Sequence, residues 1–177
     1  MEETLDFLND SAVILAKNGH HKEAIASLRK ALLNTDQDLP QKSVMWFNLA
    51  LSYRSLGNLT EARNALLQAL KIHPFEIDYL DTLGVIQHEL GEDEGAESCY
   101  MTILEFDPGN GRVWNNYGVL QFSQKRYTEA CQSFEKALSL IPEFHEALYN
   151  LRDTYGELGK TEQMKICTRL LEELGID

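Results

Sequence analysis

The chain has 177 residues, a formal net charge of −12 and an isoelectric point near 4.8. Apolar residues make up 44% and charged residues 25%, the balance of a folded chain rather than a disordered one. The acidity disfavours nucleic acid and anionic membrane surfaces as partners, and the longest apolar runs, such as Ala12 to Ala16, are too short to span a bilayer.

The opening, Met1 to Asp6, lacks a basic start followed by an apolar stretch, so no signal peptide is expected. Cys99, Cys131 and Cys167 are odd in number and form no CxxC. They predict unpaired helical thiols and a cytoplasmic location, not a disulfide framework or a zinc site.

A step of 34 residues organises the sequence. Pro74, Pro108 and Pro142 keep it, as do Ala62, Ala96 and Ala130, and Leu66, Tyr100 and Phe134. In chain order, a first unit over about 5–42 carries Leu8, Ala12, Leu15, Gly19, Ala24, Leu28 and Ala31. It has Asp36 where a proline is expected and reaches the next unit through extra residues that include Pro40. The second, 43–76, carries Trp46, Leu49, Ala50, Tyr53, Ala62, Leu66 and Pro74. The third, 77–110, carries Leu80, Leu83, Gly84, Gln87, Ala96, Tyr100 and Pro108. The fourth, 111–144, carries Trp114, Tyr117, Gly118, Gln121, Ala130, Phe134 and Pro142. The fifth, 145–177, keeps Leu148, Leu151 and Tyr155, with Met164 for the small residue, Thr168 for the aromatic and Arg152 for the glycine.

Each unit holds two amphipathic helical stretches; Ala62, Leu66, Ala69 and Leu70 lie on one face at helical spacing. Gly57, Gly91 and Gly159 mark where the first helix stops and reverses, with Lys125 at that place in the fourth unit. Thr60-Glu61, Glu92-Asp93-Glu94 and Thr128-Glu129 are expected to open and cap the second helices. The prolines close each unit. No unit can bury its apolar face alone, so neighbours must stack.

These residues resemble the tetratricopeptide repeat, W-x2-L-G-x2-Y…A-x3-F…P, over almost the whole chain. The resemblance implies one all-α domain, a right-handed α-solenoid of five helix-turn-helix repeats, without catalysis or cofactor. It also assigns Trp46 and Trp114 to packing between helices.

The chemistry of the sequence agrees. It contains no HExxH, GxSxG, GxxxxGK[ST] or GxGxxG. His20-His21 lies in a predicted turn without a third ligand, and no metal is expected. Asn34 to Asp38 imitates the start of a calcium loop, but Leu39 replaces its glycine and Met45 its closing glutamate.

In this family the first helix of each repeat lines a concave surface that binds extended peptides. The corresponding places hold Asp10, Asn48, Thr82, Asn116 and Asn150. The three asparagines are similar to the asparagine ladder in the repeat domain of O-linked N-acetylglucosamine transferase, where amides grip a peptide backbone. A carboxamide suits this, because it both donates and accepts. The carboxylate clamp of the chaperone-binding branch fits in no register; from the first repeat, Asp78 and Thr82 stand where Lys and Arg belong.

The third unit has 9 acidic and no basic residues. Asp78, Asp81 and Glu89 fall at lining places and predict a pocket for Lys or Arg side chains; a solvated acidic face is the alternative. Phe47, Phe122 and Tyr149 are expected to add apolar contact, with Arg54 and Arg112 as flanking cations. The expected function is a protein-interaction scaffold for an extended, basic segment of a partner. Two alternatives stand beside it. One is self-assembly as a homo-oligomer through the terminal helices or the groove, suggested by the stripe Ile166, Leu170 and Leu174. The other, by family analogy alone, is the recruiting part of a glycosyl- or peptidyl-modifying complex.

Overall fold

The computed structural model describes residues 5–33 and 40–175. The opening residues and the calcium-like stretch Asn34 to Asp38 lie outside the described residues. Within them the protein is all-α: ten helices in five successive pairs. The first helices of the pairs are α1 (Leu5–Lys17), α3 (Pro40–Ser55), α5 (Ile77–Glu89), α7 (Gly111–Ser123) and α9 (His145–Glu157). The second helices are α2 (His21–Leu33), α4 (Leu59–Ile72), α6 (Asp93–Phe106), α8 (Tyr127–Leu140) and α10 (Thr161–Glu173).

The chain divides into two compact units, residues 1–92 and 93–177. In the first, α1 packs on α2 and α3, α3 on α2 and α4, and α4 on α5. In the second, α7 packs on α6, α8 and α9, and α9 on α8 and α10. The core follows the repeat. Ala24, Ala62, Ala96 and Ala130 are fully buried, and the bulky residues four places later, Leu28, Leu66, Tyr100 and Phe134, are nearly so. Each such side chain contributes about 1.5–3 kcal/mol by leaving water. The fifth repeat departs here as its sequence does: Met164 and Thr168 are only half-buried, and Cys167 and Leu171 fill the core instead.

The turns within repeats share one geometry. Gly19, Gly57, Gly91 and Gly159 have φ between 66° and 81°, and Lys125 is forced into the same left-handed region at 62°. The Gly57 N–H donates to the Arg54 carbonyl at 2.9 Å and the Asn58 N–H to the Tyr53 carbonyl at 3.0 Å, so the backbone closes the turn itself. The side-chain caps expected for α4 and α8 are absent, and α10 also begins without one. Asn110 does cap α7, accepting from the Val113 N–H at 3.2 Å. α3 begins earlier than the sequence boundary because Pro40 is suited to the first turn, where its missing N–H costs nothing. Trp46 and Trp114 are half-buried rather than core.

Candidate functional site

Successive first helices leave a cleft in each unit. Between α1 and α3 it holds about 350 Å³, with Ala12, Val13, Ala16 and Leu51 as apolar lining and Asn48, Lys17 and His21 among its polar groups. Between α7 and α9 it is smaller, about 70 Å³, lined by Val119, Phe122, Phe134, Asn150 and Asp153. Each cleft thus contains one expected ladder asparagine.

Both amides are engaged within the protein. Asn48 Nδ2 donates to Asn9 Oδ1 at 2.7 Å, and Asn150 Nδ2 donates to Asn115 Oδ1 at 3.0 Å. The register is the same in both units: Asn9 and Asn115 stand one place before the ladder position of the preceding repeat. Each bond ties neighbouring first helices together. It leaves the second N–H of each carboxamide, and a carboxamide oxygen with two lone pairs, as capacity for a further partner. Asn116 is half-buried and also engaged. Thr82 turns its hydroxyl back to the Asp78 carbonyl at 2.7 Å, and Asp10 is exposed.

The acidic third repeat is answered by arginines from the repeats beside it. Arg54 of α3 pairs with Glu89 of α5 at 2.5 Å, and Arg63 pairs with Glu92. Arg126 joins Glu97, at 3.1 Å, to Glu129. Two of the expected site residues, Arg54 and Glu89, therefore serve each other. Asp78 is exposed and has no ion pair among the described residues, whereas Asp81 and Arg112 are already engaged. The Tyr117 hydroxyl donates to Glu97 Oε1 at 2.6 Å. That bond, more than Arg126, holds the Glu97 carboxyl below its ordinary range despite the opposing effect of burial. Arg126 is correspondingly held in its charged form by Glu129 and Glu97.

The expected aromatic contacts are partly spent on packing. Phe47 stacks on Tyr79 with centroids 4.7 Å apart. Phe122 meets the edge of Tyr127 at 5.2 Å while lining the α7–α9 cleft. The Arg152 guanidinium lies 4.9 Å from the Tyr149 ring centre. Of the two histidines placed in a turn, only His20 stays there, 3.8 Å from Glu23. His21 opens α2, lines the α1–α3 cleft and keeps a buried Nδ1 without a partner among the described residues.

Sequence reasoning missed the acceptors Asn9 and Asn115, whose only signal is their one-place offset from the ladder. It also missed the Tyr117–Glu97–Arg126 cluster. Cys99, Cys131 and Cys167 are buried and form no disulfide among the described residues, and burial pushes Cys131 up to about 11. Among the described residues no group of three or more His, Cys, Asp or Glu could hold a metal, and no helix is long and apolar enough to cross a membrane.

Comparisons with known proteins agree with the helix pairing. Models of the tetratricopeptide repeat match residues 6–77, 77–110 and 111–144. The type IV pilus assembly protein PilF of Pseudomonas aeruginosa is 33% identical over 75% of this chain and 54% of its own length. The chain spans about half or less of the length of the curated relatives it matches. A tetratricopeptide repeat protein from Parabacteroides merdae superposes with a TM-score of 0.86 at 24% identity, covering 98% of this chain and 68% of that one. The crystal structure of MamA does so with a TM-score of 0.82 at 20% identity, covering 97% and 92%. The chain belongs to the tetratricopeptide repeat family, and its fold is that family's all-α solenoid of paired helices, a scaffold for protein–protein interaction.

Proposed function

We propose that this chain acts as one non-enzymatic domain that takes an extended segment of a partner protein along its first helices. The supporting observation is the recurrence of one arrangement in both units: a cleft between successive first helices with a carboxamide at the same repeat place, Asn48 or Asn150. Asn48, Asn116 and Asn150 hold the partner's backbone, and the apolar walls with Phe47, Phe122 and Tyr149 receive its side chains. Selection for Lys or Arg rests on Asp78 and Asp81, because Glu89 is occupied by Arg54; Arg112 flanks them. Three buried thiols suit a reducing, cytoplasmic setting. The relative named for pilus assembly favours a role in bringing other proteins together.

The test is binding of a peptide array, and then of its best peptide by fluorescence anisotropy, to wild type and to Asn48→Ala/Asn116→Ala/Asn150→Ala. At about 1 kcal/mol per lost bond, the triple variant should bind on the order of a hundredfold more weakly. Unchanged affinity in a folded variant rejects the ladder. Affinity for basic peptides should fall as salt rises and fall again in Asp78→Lys. Salt-independent binding rejects the charge selection.

A further inference from the structure

Trp46 and Trp114 hold the same repeat place but differ in one bond. Trp114 donates its indole N–H to the Pro108 carbonyl at 3.0 Å, whereas no acceptor meets the Trp46 N–H among the described residues. Beside Trp46, helices α2, α3 and α4 leave an open cleft of about 540 Å³. Leu32 and Leu49 line it, Arg29 and Glu61 stand in it, and a second hollow shared through Trp46 and Gln68 extends it to Lys71.

The last helix carries a matching surface. Two places on the second helices are polar in the middle repeats: Asn64 and Gln68 in α4, Ser98 and Thr102 in α6, Gln132 and Lys136 in α8. In α10 the same places are Ile166 and Leu170, 55% and 43% exposed, continued by Leu174 at 41%. The stripe is not the face that a second helix turns to the repeat after it. Where α8 turns Cys131, Glu135 and Leu138 toward α9, α10 has Lys165, Arg169 and Glu172. One flank of the stripe bears Glu162, then Arg169 two turns on and Glu173 one turn further. Two carboxylates and one cation thus face outward there, against two cations and one carboxylate in the cleft.

We propose that the chain associates head to tail with a second copy of itself, the α10 stripe of one molecule entering the Trp46 cleft of the next. Glu173 and Glu162 meet Arg29 and Lys71, Arg169 meets Glu61, and Glu162 exchanges the Lys165 partner it holds at 2.9 Å in the single chain. This contact joins α10 of one copy to the α2–α3–α4 cleft of the next, apart from the clefts between successive first helices, and goes beyond the peptide-binding reading. Because its two surfaces differ, each added molecule leaves one of each open, and growth continues past a dimer.

Light scattering of the whole chain over a concentration series tests this. The mass should rise with concentration beyond twice 20.2 kDa. Ile166→Lys/Leu170→Lys, which keeps the cleft, and Trp46→Ala, which keeps the stripe, should each stay monomeric, and their mixture should stop at a one-to-one dimer. Arg29→Glu leaves the packed ring in place and should weaken association at least tenfold, and adding Glu173→Arg should restore it. A wild type that stays monomeric overturns the proposal, and so does assembly that survives Ile166→Lys/Leu170→Lys.

Discussion

Asn150 reaches back from α9 to Asn115 on α7, Nδ2 to Oδ1, at 3.0 Å. The equivalent bond joins Asn48 to Asn9 at 2.7 Å. The ladder position therefore has a structural task before any partner arrives. Asn48→Ala and Asn150→Ala should each lower stability by about 1 kcal/mol in urea unfolding, the net worth of a neutral hydrogen bond. A double-mutant cycle of Asn48→Ala with Asn9→Ala isolates that bond. Strict additivity would show that the pair contributes nothing. The cycle also matters for the binding test, since it separates weaker stapling from lost peptide contacts.

Lys125 occupies the left-handed turn position that glycine fills in the other four repeats, at φ 62°. A residue with a Cβ costs about 1–2 kcal/mol in that region. Glycine removes the clash and returns about half of the gain through its larger unfolded-state entropy. Lys125→Gly should therefore raise stability by about 0.5–1 kcal/mol, seen as a higher urea midpoint at unchanged slope. Lys125→Ala, which keeps the Cβ, should not reproduce it.

The 34-residue step made the fold legible, because one packing problem is solved repeatedly by the same residue types. Ala62 against Leu66 and Ala130 against Phe134 needed no coordinates to be placed in the core. The turn at Lys125 was visible in the same way, as an odd residue in a glycine column. The site was less legible because its residues are paired across repeats. Arg54 and Glu89 lie 35 positions apart, and Arg63 and Glu92 lie 29 apart, so counting charge repeat by repeat hid their neutralisation. Likewise, nothing in the sequence says that, among the described residues, the Trp46 N–H lacks the acceptor its counterpart Trp114 finds at Pro108.

Glu97 accepts from the Tyr117 hydroxyl at 2.6 Å, and its carboxyl is held below the ordinary range chiefly by that bond. A lowered folded-state pKa stabilises the fold above the unfolded carboxylate range, and the gain is lost as pH falls through the folded value. Tyr117→Phe removes the largest cause. It should destabilise by about 1–3 kcal/mol at neutral pH, as expected for a bond to a charged group. The gap from wild type should close as pH drops into the acid range. A gap independent of pH would show that the bond to the Glu97 carboxylate does not account for the loss.

Gly118 sits directly beneath Phe134: a Cβ placed on it would lie 2.6–2.9 Å from three atoms of the ring. Phe134 is 1% exposed and cannot swing toward water. The close approach of α7 and α8 therefore depends on the missing side chain, and the helix propensity gained with alanine is the smaller effect, about 1 kcal/mol. Overpacking of this kind costs about 1–3 kcal/mol, so Gly118→Ala should be destabilising overall, by up to about 2 kcal/mol. Gly111 offers a contrast, since its Cβ would meet the flexible end of Ile141 at 2.9 Å, an exposed side chain that can yield. Gly111→Ala should cost less than Gly118→Ala. Adding Phe134→Leu to Gly118→Ala should recover part of the loss, a coupling that thermal melts of the four proteins would measure.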